Sequence, residues 1–262
     1  MRNKDFIGVF DSGIGGLTVL DDMAEMLPNE NFYYVADQKH CPYGPKEQSY
    51  VGDRVAKICK HLEEKGAKAV VIACNTASLQ IARGQEVCNI PIISVIDPTC
   101  ASAIKATKNN KVAVLATIAT IKSGKYQGLL EKANVKPIGL PCGEFVDFVE
   151  HHDLKDPLGL EIVSKKLEEI KFEDFDTLIY GCTHFSLLEP QIKSVLGEKN
   201  YIRCGLPTAE YVKDLLEKKN LLNKDNKERE IEIYTTGSVE ETLVNMKWFT
   251  RDHKPVKNIE IE

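Results

Sequence analysis

Two stretches, one in each half of the 262-residue chain, impose most on its fold: Val70-Val71-Ile72-Ala73-Cys74-Asn75-Thr76-Ala77-Ser78 and Thr177-Leu178-Ile179-Tyr180-Gly181-Cys182-Thr183-His184-Phe185-Ser186. Each is an apolar run that stops at a cysteine followed by hydroxyl or amide side chains. Such a run leaves no polar face for water, which is the signature of a strand buried on both sides of a parallel sheet. Each cysteine then stands where strand gives way to loop and helix, the edge at which open α/β sheets hold their ligands.

The first strand of each half repeats the relationship. Ile7-Gly8-Val9-Phe10-Asp11-Ser12 matches Val112-Ala113-Val114-Leu115-Ala116-Thr117 in character; Cys74 follows Ser12 by 62 residues and Cys182 follows Thr117 by 65. The spacing predicts two pseudo-symmetric, doubly wound α/β domains with mainly parallel sheets and an active-site cleft between them. The expected division is 1–97 with 208–262 around Cys74, and 98–207 around Cys182, with Asp97-Pro98 as a hinge. Residue by residue the likeness is weak, and any two α/β domains share much of it.

Strand Phe6 to Phe10 breaks into Asp11-Ser12-Gly13-Ile14-Gly15-Gly16 and a helix beginning near Leu17. That layout presents backbone amides to an anion, although the glycine order is neither a dinucleotide fingerprint nor a P-loop. Strand Phe32 to Ala36 ends in the loop Asp37 to Pro45, whose prolines and glycine demand a rigid, irregular path. Val51, Val55, Ile58, Cys59 and Leu62 mark a helix face stopped by Gly66. Further on, the pattern predicts a helix from Cys74 through Arg83, strands Pro91 to Ile96, Lys111 to Leu115, Pro137 to Leu140 and Tyr201 to Arg203, and helices Glu144 to Glu150, Leu158 to Ile170, Leu187 to Leu196 and Ala209 to Lys218. A solvated linker is expected over Leu222 to Glu230, then a last strand, Ile231 to Tyr234. Ser238 with Glu241 forms a capping box for the final helix.

Composition narrows the partners. With 43% hydrophobic and 28% charged residues and a net charge of -5, the chain has no basic stripe for nucleic acid. No secretory leader precedes Phe6, and no run approaches the roughly 18 apolar residues of a membrane span. Eight cysteines without a Cys-x-x-Cys fit a reducing cytoplasm better than a disulfide framework.

A lone cysteine at a strand end is most often inert core. Two in equivalent places, each before a helix start whose N–H groups favour thiolate, point to chemistry. Sulfurs on opposite sides of a cleft suit a carbon acid: one thiolate takes a proton from a stereocentre and the opposite thiol returns one to the other face. With no complete phosphate loop and no lysine in a pyridoxal setting, no cofactor is expected. The carbanion must then be stabilised by donors aimed at a carboxylate. Ser12, Asn75, Thr76, Thr117 and Thr183 are the candidates, and Asp11 is the counter-charge for an ammonium group; no arginine falls in these motifs. Asp11 could instead cap a helix, His184 could be packed core rather than tune Cys182, and Tyr43 could simply fill its turn. His151-His152-Asp153 is not read as a metal site, because adjacent residues do not share a helix face. A thiol-redox protein or an anion-binding module stays open as a rival class.

The motifs GVFDSGIGGLTVL (Gly8 to Leu20), CPYGPK (Cys41 to Lys46), VIACNTAS (Val71 to Ser78), ATIKSGKYQ (Ala119 to Gln127) and YGCTHFSLLEP (Tyr180 to Pro190) closely resemble those of the glutamate racemases, cofactor-independent enzymes of the aspartate/glutamate racemase superfamily. The resemblance implies that Cys74 and Cys182 are the acid/base pair, assisted by Asp11 and His184. It implies that Asp11, Ser12, Pro42, Tyr43, Gly44, Asn75, Thr76, Thr117 and Thr183 line the glutamate site, with Glu150 at the end of FVDFVE tuning it. It implies a cytoplasmic homodimer supplying D-glutamate for peptidoglycan, with aspartate or another acidic amino acid as the alternative substrate. Two segments depart from the pattern: Gly143, Glu144 and Asp147 replace apolar or proline residues after Cys142, and RCGLPTAEYV around Cys204 replaces an Asp-Ser-Gly/Ala motif. Neither touches the thiol pair.

Overall fold

A computed structural model describes residues 5–224, 229–249 and 255–262. Packing divides the chain into two units, one comprising the residues up to Val95 and from Gly205 onward, the other Ile96–Cys204.

The first unit begins with β1 (Phe6–Asp11), every residue of which is buried, and α1 (Leu17–Met26), which turns Leu17, Val19, Leu20, Met23 and Ala24 inward. β2 (Asn31–Ala36) and α2 (Gln48–Lys65) follow. Gly66 closes α2 in the left-handed region at φ 102°, where its N–H reaches the carbonyls of Leu62 and Glu63; a side chain there would be strained. Next come β3 (Ala67–Ile72), the short α3 (Asn75–Ser78), α4 (Ile81–Val87) and β4 (Ile92–Ser94).

The second unit runs through α5 (Ile96–Ala106), β5 (Lys111–Ala116), α6 (Ile118–Lys122), α7 (Lys125–Lys132), β6 (Lys136–Pro141), α8 (Gly143–His151), α9 (Leu158–Leu167), β7 (Thr177–Gly181), a 3-10 helix (Thr183–Leu188), α10 (Glu189–Leu196) and β8 (Asn200–Ile202). Its core gathers Phe145, Phe148, Phe175, Tyr180 and Phe185 beneath α8 and α9, with the Phe145 and Phe185 rings edge to face at 5.3 Å. Each such side chain fully buried contributes about 1.5–3 kcal/mol. α11 (Gly205–Lys218), β9 (Ile231–Thr235), α12 (Val239–Asn245) and β10 (Val256–Asn258) then return to the first unit.

The described strands form two sheets, ordered β10-β9-β2-β1-β3-β4 and β6-β5-β7-β8, with every pairing parallel. The fold is α/β, as the buried apolar runs predict. The order β2-β1-β3-β4 recurs as β6-β5-β7-β8. In both, the chain steps to one side of its first strand and then crosses to the other side. That reversal opens a crevice at the carboxyl ends of the two strands flanking it. Beyond β1 and β3 lie Ser12 and Cys74; beyond β5 and β7 lie Thr117 and Cys182.

Several local expectations are corrected. The strand expected to Ile96 stops at Ser94, and Asp97 and Pro98, beside the boundary between the units, belong to the first turn of α5, where a proline costs nothing because first-turn N–H groups have no intrahelical partner. For the same reason α11 starts at Gly205, ahead of Pro207, and not at Ala209. The helix after Cys74 is broken into α3 and α4, the one after Cys182 opens as 3-10, and the helix from Leu158 stops at Leu167. The linker expected over 222–230 lies partly outside the described residues. No described helix is long and apolar enough to cross a membrane.

Candidate active site

In the first unit, Cys74 is the N-cap of α3. Its Sγ accepts the Ala77 N–H at 3.5 Å and lies 3.7 Å from Ser12 Oγ, to which the thiol donates. The strand ladder fixes this approach: Ala73 N–H donates to the Phe10 carbonyl at 2.8 Å, tying the end of β3 to the end of β1. Asp11 is fully buried and its Oδ1 accepts from Gly13 N at 2.9 Å, while Tyr34 Oη donates to the Gly13 carbonyl at 2.7 Å. The Asp11-Ser12-Gly13 turn is therefore held from within and from β2. Gly16 is required by crowding: a Cβ there would stand 2.6 Å from Asp11 Cβ and 3.0 Å from Ala73 Cβ. Asn75 and Thr76 follow the thiol and are buried with it.

The loop after β2 carries Pro42, Tyr43 and Gly44; Pro42 is exposed, Gly44 half-buried and Tyr43 buried in the apolar cluster that includes Cys74. Tyr43 Oη donates to Asp37 Oδ2 at 2.5 Å. Burial, then the Asp37 charge, push the Tyr43 phenol well above its ordinary range, so it remains a protonated donor. Asp37 also receives the fork of Arg54, at 3.0 and 2.9 Å. This ion pair escapes a reading by motif, yet α2 carries a signal for it. Arg54 falls between Val51, Val55 and Ile58 on the buried face, and a charge there demands a partner.

In the second unit, Cys182 precedes the 3-10 helix, and its Sγ lies 3.7 Å from His184 Nδ1. His184 Nε2 is 2.5 Å from Glu150 Oε1, which α8 supplies. Burial alone would push His184 down, but the bonds to Cys182 and Glu150 and their negative charge outweigh it and hold the imidazole well above its ordinary value. Glu150 thus reaches the thiol through His184. Thr117 is the N-cap of α6, with Thr120 N–H donating to its Oγ1 at 3.3 Å, and Thr183 is buried beside the thiol. His151 bonds the Asp147 carbonyl and His152 stacks on Phe148, so the two rings turn to different partners.

Each unit thus brings its own expected residues together: Asp11, Ser12, Tyr43, Asn75 and Thr76 gather near Cys74, and Glu150, Thr183 and His184 near Cys182. The two thiols differ in their company. Cys74 has a hydroxyl and a backbone N–H; Cys182 has an imidazole with a carboxylate behind it. Cys204 differs again, donating its thiol to the Tyr180 carbonyl at 3.2 Å with the Tyr126 side chain beside it. Burial pushes Cys59 and Cys142 far up, Cys100 to about 12 and Cys88 to about 11, which leaves them inert at neutral pH.

Residues 7–206 match the model of the Asp/Glu/hydantoin racemase family. The chain is 39% identical to the glutamate racemase of Listeria monocytogenes (strain HCC23), over 90% of this chain and 91% of that one. Among solved structures, it superposes on the glutamate racemase isoform RacE1 of Bacillus anthracis with a TM-score of 0.92 at 35% identity, covering 98% of both chains. It superposes on the Francisella tularensis glutamate racemase, solved in complex with D-glutamate, with a TM-score of 0.90 at 30% identity, covering 99% of this chain and 98% of that one. The chain belongs to the Asp/Glu/hydantoin racemase family.

Proposed function

We propose that this protein interconverts L- and D-glutamate without a cofactor, using Cys74 and Cys182 as a pair of acid/base groups on opposite faces of the α-carbon. One observation carries the reading. In each sheet a thiol stands at the carboxyl end of the strand beside the chain reversal, with its own proton-handling neighbours. In one direction a thiolate removes the α-proton, the electron pair delocalises into the carboxylate, and the opposite thiol delivers a proton to the other face. Configuration inverts, and the protonation states of the two sulfurs are exchanged. Chemistry on a single face needs one such group, so the duplication supports racemisation over decarboxylation.

Neutral donors bind the substrate's anionic groups in this account: Ser12, Asn75, Thr76, Thr117 and Thr183, with Pro42, Tyr43 and Gly44 shaping the site. Asp11 meets the ammonium. His184, backed by Glu150, assists Cys182. Arg54 is engaged by Asp37 and the Ile261 carbonyl, so it is not spare for a carboxylate. On the likeness to glutamate racemases and on eight free thiols, the reading extends to a homodimer in the cytoplasm that supplies D-glutamate for peptidoglycan.

The test is to incubate each enantiomer of glutamate and of aspartate with the purified protein, without pyridoxal phosphate, and to follow optical rotation. Glutamate from either side should reach a racemic mixture, and aspartate should react far more slowly. Rotation that stays constant with both glutamate enantiomers would sink the assignment.

A further inference from the structure

We infer that Asp37 and Arg54 are positioning residues for substrate binding, their buried ion pair holding Tyr43, and through it the segment Pro42 to Gly44, in the conformation that receives glutamate. The inference rests on the substrate role given above to that segment.

Asp37 follows directly on β2 and is fully buried. Its carboxylate accepts four bonds from three parts of the first unit. Oδ1 takes Arg54 Nη2 at 2.9 Å and Thr236 Oγ1 at 2.9 Å; Oδ2 takes Arg54 Nε at 3.0 Å and Tyr43 Oη at 2.5 Å. Its backbone N–H donates to the Asp11 carbonyl at 3.0 Å. One residue therefore ties two of the three substrate segments proposed for this unit, Asp11-Ser12 by its main chain and Pro42 to Gly44 by its side chain.

Stability alone does not explain the arrangement. Replacing a buried ion pair by packed apolar groups is often neutral or better. What the charge adds is direction. The planar guanidinium fork fixes the carboxylate plane, and the fixed plane aims Oδ2 at the phenol. Arg54 is itself anchored, since its side chain is 6% exposed and Nη1 donates to the Ile261 carbonyl at 2.8 Å. Thr236, just beyond β9, closes the set and accepts the Lys39 N–H at 3.2 Å, which pins the start of the same loop.

The experiment compares kcat and KM for L-glutamate, with melting temperature alongside, in the wild type, Arg54→Lys, Thr236→Val, Tyr43→Phe and the Arg54→Lys/Tyr43→Phe double variant. Lysine keeps the charge but cannot span both carboxylate oxygens and the Ile261 carbonyl. Arg54→Lys and Thr236→Val should each raise KM about tenfold while kcat stays within about threefold. Arg54→Lys should add little once Tyr43 has lost its hydroxyl, because both changes break one linkage. Unchanged KM with only a lowered melting temperature, or fully additive effects, would overturn the inference. Thr236→Val leaves Arg54 in place but removes one of the four bonds that orient the Asp37 carboxylate, so its KM keeps the inference falsifiable if Arg54→Lys does not fold. A wild type that fails to racemise glutamate defeats the functional assignment itself; an active wild type with unaltered KM in the variants defeats only this inference.

Discussion

Glu150 Oε1 lies 2.5 Å from His184 Nε2, and the two side chains are 7% and 3% exposed. The other ring nitrogen faces Cys182 Sγ at 3.7 Å. A carboxylate behind an imidazole fixes its orientation and favours its charged form, which is the logic of a nucleophile or base supported by a third group.

Glu150→Gln should therefore move the pH profile as well as the rate. With the carboxylate present, the imidazolium persists above the ordinary value of about 6.5. The pair's stabilisation is full below that value and is lost as pH rises through the raised folded value. The pH limb of kcat/KM governed by His184 should shift toward lower pH in the variant, with kcat falling about tenfold. The stability deficit of the variant should be largest near pH 6 and shrink above it. Superimposable pH profiles would show that Glu150 does not act through His184.

Gly16→Ala places a methyl against Asp11 Cβ, Ala73 Cβ and the Tyr34 hydroxyl, at 2.6, 3.0 and 2.9 Å. Relief requires β1 and β3 to part at the end that carries the thiol. Urea unfolding should show a loss of about 1–3 kcal/mol, accompanied by reduced turnover. A variant with wild-type stability and turnover would mean that the close approach is not needed.

Asp176 sits before β7 and gathers the turn that leads into β5, accepting from Thr107 Oγ1, Lys108 N and Asn109 N at 2.7, 2.6 and 3.0 Å. Partial burial works against its charge, but these donors and Thr177 hold its carboxyl at about 2. A depressed value contributes stability above the unfolded value of about 3.9, and that contribution is lost as pH falls toward 2. Asp176→Asn should lower the urea midpoint at neutral pH and flatten its acid dependence between about pH 4 and 2. An unchanged slope over that range would refute the assignment.

What sequence made legible is what repeats locally. Phe6 to Phe10, Val70 to Ile72, Val112 to Leu115 and Leu178 to Tyr180 are apolar runs too continuous to be anything but buried strands, and the thiols are placed by the strands that precede them. The pattern does not predict α5, and it puts the start of α11 at Ala209 instead of Gly205, because Pro98 and Pro207, which helix interiors forbid, are accepted in a first turn. β10 passed unseen because Val256–Asn258 is three residues long with one apolar side chain. The Asp37–Arg54 pair joins residues 17 apart through tertiary packing, a relation that no periodicity encodes. Glu150 was placed in the site by resemblance, and its bond to His184 emerges only when α8 packs beside the 3-10 helix.

The central claim is tested most directly by following the α-hydrogen. L-Glutamate is incubated in D2O with the wild type, Cys74→Ser and Cys182→Ser, and NMR and chiral analysis are read at early conversion. Two thiols on opposite faces predict D-glutamate that carries deuterium at the α-carbon while unreacted L-glutamate stays largely protonated, with racemisation reduced at least a hundredfold in either variant. Racemisation that survives either serine substitution, or product that forms without solvent deuterium, would contradict it.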